Sequence, residues 1–150
     1  MGKYDDAVKI MTERFNHDCL ISVATVDGGK PYVRTVDGFY ENGAFYTVTY
    51  ALSKKIKQIQ ANPEVAVCGD WFTAHGIGEN LGWVRDERNA EMMKKLREVF
   101  SSWYKNGHVN ESDQNTCLLR IKLSNGDLID NDKKYGEWLF KVDFINKTVQ

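Results

Sequence analysis

Phe45-Tyr46-Thr47-Val48-Thr49-Tyr50-Ala51-Leu52-Ser53-Lys54-Lys55-Ile56-Lys57 changes its periodicity halfway along. The first half alternates with period two and is rich in aromatic and β-branched residues, so it reads as a strand with Phe45, Thr47 and Thr49 on one face. The second half reads as a helix start. Ser53 is a natural N-cap, and Leu52, Ile56 and Ile59 fall on one stripe. Lys54, Lys55 and Lys57 then occupy the first turn, where the helix dipole is already positive. Lysine there costs a few tenths of a kcal/mol to about 1 kcal/mol. Free N–H groups at a helix start favour an anion, and added lysines make sense if a phosphate binds. The same charges would also suit a solvated turn.

Working upstream, Glu41-Asn42-Gly43 carries the Asn-Gly pair of a type I′ hairpin. The strand before it, Pro31 to Phe39, is therefore antiparallel to the Phe45 strand and beside it. Tyr32, Arg34 and Val36 share one face of that strand, and Val33, Thr35 and Asp37 the other. The pairing brings Arg34 toward the lysine-rich helix start, where a further cation is repelled unless an anion lies between. Asp27-Gly28-Gly29-Lys30 is a turn, and Leu20 to Val26 is the strand before it. Tyr4 to Phe15 has the stripe Tyr4, Ala7, Val8, Met11 and Phe15 of an amphipathic helix.

Downstream, Asn62-Pro63 stops the second helix. Val65 to Trp71 reads as a strand that continues from Phe72 to Val84 through Gly76, Gly78 and Gly82. Asp86 caps a long helix expected to run to Trp103, with Met92, Met93, Leu96, Val99, Phe100 and Trp103 on its apolar face. Cys117 to Leu123 is a strand, Asn125-Gly126 reads as a turn, and Trp138, Phe140, Val142 and Phe144 alternate along a last strand. The expected fold is mostly β (α+β). It has six to seven antiparallel strands closing into a barrel, with about three helices, in one domain over residues 1–150.

The 150 residues carry a net charge of −1, which supplies no basic excess for nucleic acid. No apolar run approaches the roughly 18–20 residues that span a bilayer. The charged, helix-periodic start does not read as a signal peptide, so the expected location is cytoplasmic. Cys19, Cys68 and Cys117 are odd in number, far apart and in apolar strands, as expected of buried thiols in a reducing compartment. His17, His75 and His108 are isolated, and no metal-ligand spacing is present. No Ser-His-Asp or paired-carboxylate arrangement marks catalytic residues, which stay unassigned.

Gly29-Lys30-Pro31-Tyr32-Val33-Arg34, then Phe45-Tyr46-Thr47-Val48-Thr49, Ser53-Lys54-Lys55 and Asn62-Pro63-Glu64-Val65-Ala66-Val67 together resemble the flavin-binding split-barrel proteins related to pyridoxamine 5′-phosphate oxidase. Those proteins include the nitroimidazole-resistance and general-stress branches. The resemblance holds from about Leu20 to Val84. It implies FMN at the interface of a homodimer. By position, Arg34 and the Lys54/Lys55 pair would hold the phosphate, with Ser53 assisting. Thr35 and Val36 would meet the flavin through backbone groups, and Tyr46, Thr47 and Thr49 would lie along its ring and ribityl chain.

The resemblance further implies an FMN-dependent oxidoreductase that reduces a small nitroaromatic or quinone-like compound. The alternatives are a non-catalytic flavin-binding stress, sensor or carrier protein, and a dimerising barrel with only a surface lysine cluster. The authentic oxidase carries a C-terminal arginine segment for its substrate; here no arginine follows Arg120, so pyridoxamine 5′-phosphate is not the expected substrate. Trp71, Trp83, Trp103 and Trp138 are candidates for the dimer interface or for packing on the flavin.

Overall fold

The structure is a computed structural model and describes residues 2–150. Its elements in order are α1 (Lys3–Phe15), β1 (Cys19–Asp27), β2 (Lys30–Glu41), β3 (Ala44–Tyr50), α2 (Lys54–Ala61), β4 (Glu64–Gly69), β5 (Phe72–Trp83), α3 (Ala90–Val99), β6 (Thr116–Ile129), β7 (Leu139–Asp143) and β8 (Thr148–Val149). A single turn of 3₁₀ helix, Glu87–Asn89, leads into α3. The sheet order is β3-β2-β1-β4-β5-β6-β7-β8, and a further β3–β6 pairing closes the first six strands into an antiparallel barrel. The expected mostly-β barrel with three helices is therefore present, with β7 and β8 added beyond β6.

Local chemistry explains the tight hairpins. Gly28 and Gly29 both have positive φ, as do Asn42 and Gly43. These two-residue turns match the twist of the strands they join. In β1, Ile21, Val23 and Thr25 point inward and are almost completely buried. Facing them are Phe45, Phe72, Leu119 and Ile121, with Met11 and Phe15 of α1 and Ile56 and Ile59 of α2. Each such apolar side chain contributes about 1.5–3 kcal/mol on burial. A second cluster lies on the other face of β3 and β6, where Met93 and Leu96 of α3 pack with Phe39, Phe100 and Leu118.

One feature of the pairing positions the site. β2 and β3 are in register only from Phe39–Tyr46 to Glu41–Ala44. Beyond those three pairs the strands part, and β3 continues against β6 as far as Tyr50–Thr116. The stretch of β2 that carries Arg34 is thus paired on one side, to β1.

Several expectations are corrected. The strand from Val65 does not reach Trp71: β4 ends at Gly69, and Asp70-Trp71 forms a two-residue turn between paired Gly69 and Phe72, with Trp71 at φ 51°. Asn125-Gly126 is not a turn but lies inside the 14-residue β6. The small residue serves a close approach instead, since a Cβ on Gly126 would lie 2.8 Å from the Thr73 carbonyl oxygen. The register shift opposite His75/Gly76 leaves Ser124 as the extra residue of a bulge. The helix expected to reach Trp103 ends at Val99, and Asp86 caps the 3₁₀ turn by accepting from Arg88 N. Leu52 is exposed, unlike Ile56 and Ile59 of the stripe it was expected to share. Cys68 is exposed, because it alternates with the inward Val65 and Val67 on β4.

Candidate functional site

The inward face of β1 and β2 meets α2, through Gln58, at Arg34. Arg34 is opposite Val23 in the β1–β2 ladder. Its Nη1 donates to Thr25 Oγ1 at 2.8 Å and to the Val23 carbonyl at 3.3 Å, and its Nη2 donates to Gln58 Oε1 at 3.0 Å. Thr25 Oγ1 in turn donates to Gln58 Oε1 at 2.5 Å. Arginine only donates, so these contacts require the Gln58 amide oxygen, not its nitrogen, to face the guanidinium. Gln58 Nε2 is then buried without a partner among the described residues. An orphaned buried donor costs about 1–3 kcal/mol.

Lys55 comes in from the helix side. Its Nζ donates to Thr49 Oγ1 at 2.6 Å. Burial, and then the charge of Arg34, hold the ammonium below the ordinary lysine value. Burial alone lowers Arg34. Neither residue has a carboxylate partner among the described residues, although seven other cationic side chains do. Ser53 caps α2 by accepting from Ile56 N at 3.4 Å. The amides of Lys54 and Lys55, at the helix start, have no carbonyl four residues back within the helix. Two cations and free amide donors therefore collect around the start of α2, which fits a small dianion such as a phosphate ester.

The expected site residues divide. Arg34, Thr49, Ser53 and Lys55 come together, and the buried Thr47 lies on the same face of β3 as Thr49. Lys54 Nζ lies 4.8 Å from the centroid of the Tyr32 ring, on the face of β2 that carries Arg34, and makes no hydrogen bond to the Arg34 group among the described residues. Thr35 faces outward opposite Ser22, and Val36 packs inward at the margin of the core. Tyr46 lies on the opposite face of β3 from Thr47 and Thr49, against the α3 cluster. It is paired with Arg120 of β6, which donates to Glu79 at 3.0 Å.

Thr25 and Gln58 were not among the expected residues. Their signal was a polar residue at a core position: Thr25 completes the inward series Ile21, Val23, Thr25, and Gln58 sits between the buried Ile56 and Ile59.

The sequence model of the pyridoxamine 5′-phosphate oxidase family matches residues 9–130. General stress protein 26 of Bacillus subtilis (strain 168) is 27% identical over 126 residues, spanning 81% of this chain and 86% of the relative. Among solved structures, a FAD-binding protein from Mesorhizobium loti superposes with a TM-score of 0.60 at 20% identity, over 79% of this chain and 90% of that one. A pyridoxamine 5′-phosphate oxidase-related, FMN binding protein from Nostoc punctiforme gives 0.59 at 18% identity, over 100% and 95%. Likeness at these identities speaks for the fold. The stretch matched by the family model takes in all six barrel strands and α2, and with them Arg34, Lys55 and the pair that holds Arg34. On that match, the chain belongs to the pyridoxamine 5′-phosphate oxidase family.

Proposed function

We propose that this protein binds FMN at the interface of a homodimer and uses it to reduce a small acceptor, nitroaromatic or quinone-like. The observation that carries the reading is that Arg34 and Lys55, near enough for the arginine's charge to weigh on the lysine, have neutral partners only among the described residues. Two partly buried cations repel one another, and a bound phosphate removes the repulsion. Arg34 and Lys55 would hold that phosphate, with Ser53 and the first amides of α2 assisting. Thr35 and Val36 would meet the flavin through their backbone, on the part of β2 that β3 leaves open. Thr47 and Thr49 would line the ribityl chain, and Tyr46 and Lys54 would act from the rim. The flavin, when bound, supplies the electron transfer. The protein's part is to orient it and exclude water, so no further acid–base constellation is required.

The homodimer is supported by the outer face of β1, β2 and β4. Leu20 is 65% exposed and Val33 70%. A shallow groove that begins at Val33 is lined by Ser22, Ala24, Ala66 and Cys68 and runs on to His75 and Asp127. An apolar face of this kind is a docking surface, and a second copy of the chain is the simplest occupant. The reading places the protein in the cytoplasm.

A flavin carrier or stress protein without turnover is the second reading, favoured by the match to General stress protein 26. Anaerobic stopped-flow reduction with NADH or NADPH, followed by reoxidation with a panel of nitro compounds and quinones, separates the two. Turnover on any acceptor faster than on oxygen supports the oxidoreductase. Bleaching of the flavin without turnover on any acceptor supports the carrier.

A further inference from the structure

We infer that the amide at position 58 selects for a phosphorylated ligand: Gln58 and Thr25 fix the Arg34 guanidinium with neutral oxygens and so leave its charge for the anion. This rests on the reading that a flavin phosphate binds at Arg34.

Three hydrogen bonds form a closed ring. Arg34 Nη1 donates to Thr25 Oγ1, Thr25 Oγ1 donates to Gln58 Oε1, and Arg34 Nη2 donates to the same Oε1. Thr25 and Gln58 are almost entirely buried, so water does not compete for these bonds. The ring occupies both lone pairs of Oε1 and fixes the amide plane. It also strands Nε2, which finds no partner among the described residues.

A glutamate would be the better local choice. It would offer an oxygen to the same two donors, pair its charge with Arg34, and have no N–H to leave orphaned. The chain carries the amide instead and bears the cost of the stranded nitrogen. Local rules broken in this way mark functional positions. The functional reason lies in the neighbouring charge. Lys55 is three residues before Gln58, hence one turn away on the same helix face, and it already senses Arg34. A carboxylate at position 58 would neutralise the pair from within and leave less charge for the anion. Gln58 Nε2 is shielded from the surface. The residue therefore acts through Arg34, as a positioning residue.

The test uses the full-length protein stripped of ligand. FMN and riboflavin are titrated into wild type, Gln58→Glu, Thr25→Val and Arg34→Ala, and each apo form is melted. Gln58→Glu is expected to melt higher than wild type, to bind FMN ten- to one-hundred-fold more weakly, and to bind riboflavin unchanged. Stability and phosphate preference then move in opposite directions, which a merely structural residue would not produce. Thr25→Val is expected to lower the preference for FMN over riboflavin several-fold, and it keeps the question answerable if the glutamate variant does not fold. If both position-58 and position-25 variants keep the wild-type preference while Arg34→Ala loses it, the inference fails and the phosphate reading stands. If Arg34→Ala also keeps the preference, the phosphate reading fails and takes the inference with it.

Discussion

Replacing Lys55 with methionine keeps most of the side-chain stem and removes the charge. The ammonium is held by one hydroxyl, Thr49 Oγ1 at 2.6 Å, and by no carboxylate among the described residues. Its main electrostatic work is therefore toward a ligand. A charge-assisted hydrogen bond contributes about 1.5–3 kcal/mol. Lys55→Met should accordingly raise the FMN dissociation constant roughly ten- to one-hundred-fold. Riboflavin, without the phosphate, should bind both proteins alike. The apo fold should respond in the opposite sense. Burial and then Arg34 lower the Lys55 pKa from 10.5 in the folded chain. Between that lowered value and 10.5 the unfolded chain binds more protons, so this residue's penalty is full below the window and relieved as pH rises through it. At neutral pH, apo Lys55→Met should be slightly more stable than apo wild type. That advantage should shrink as pH climbs toward 10.5. Fluorescence titration gives the affinities, and urea unfolding at several pH values gives the stabilities. An FMN dissociation constant within about twofold of wild type would refute the reasoning, because a residue worth even 1 kcal/mol to the phosphate must show more than that.

Lys54 should matter less than its neighbour. Its Nζ rests over the Tyr32 ring at 4.8 Å, and an exposed contact of that kind contributes about 0.5–1 kcal/mol; Lys54→Ala should weaken FMN only a few-fold in the same titration. Val33→Glu should yield monomers by light scattering at micromolar concentration, since it sets a charge on the exposed apolar face of β2; an unchanged dimer would move the interface elsewhere. Gly126→Ala should destabilise the fold by about 1–3 kcal/mol in urea, because its Cβ would meet the Thr73 carbonyl oxygen at 2.8 Å and Phe72 Cε1 at 2.9 Å.

The same dipeptide shows where a sequence speaks clearly and where it does not. Asn42-Gly43 stands between two alternating runs, and both residues take the positive φ of a type I′ turn. Asn125-Gly126 has the same letters but lies inside β6, where the glycine lets the Phe72–Ala74 stretch come close. The distinction rests on a tertiary contact that no local pattern encodes. Trp71 is the converse case. A bulky residue in a left-handed turn runs against local preference, and here Arg14 Nη1 donates to both the Asp70 and Trp71 carbonyls from a distant helix.

The site divides along similar lines. Ser53 and the lysines could be read because a helix start obeys local rules. Arg34 could be drawn toward them because the Asn42-Gly43 hairpin sets β2 beside β3. The difference between Lys54 and Lys55 was not legible, since it depends on where the Tyr32 ring and the Thr49 hydroxyl stand. Thr25 and Gln58 were visible only as polar residues on apolar faces, and their meaning appears once three elements converge on one guanidinium.

The central claim is that the cluster of Arg34, Lys55 and the start of α2 holds the phosphate of FMN. The most direct measurement is the mass and stoichiometry of the small molecule released when the purified protein is denatured, for wild type and for an Arg34→Ala, Lys55→Ala double variant prepared in parallel. The account predicts FMN from wild type, two per dimer, and little or none from the double variant. Recovery of FMN in equal amount from both proteins would contradict it.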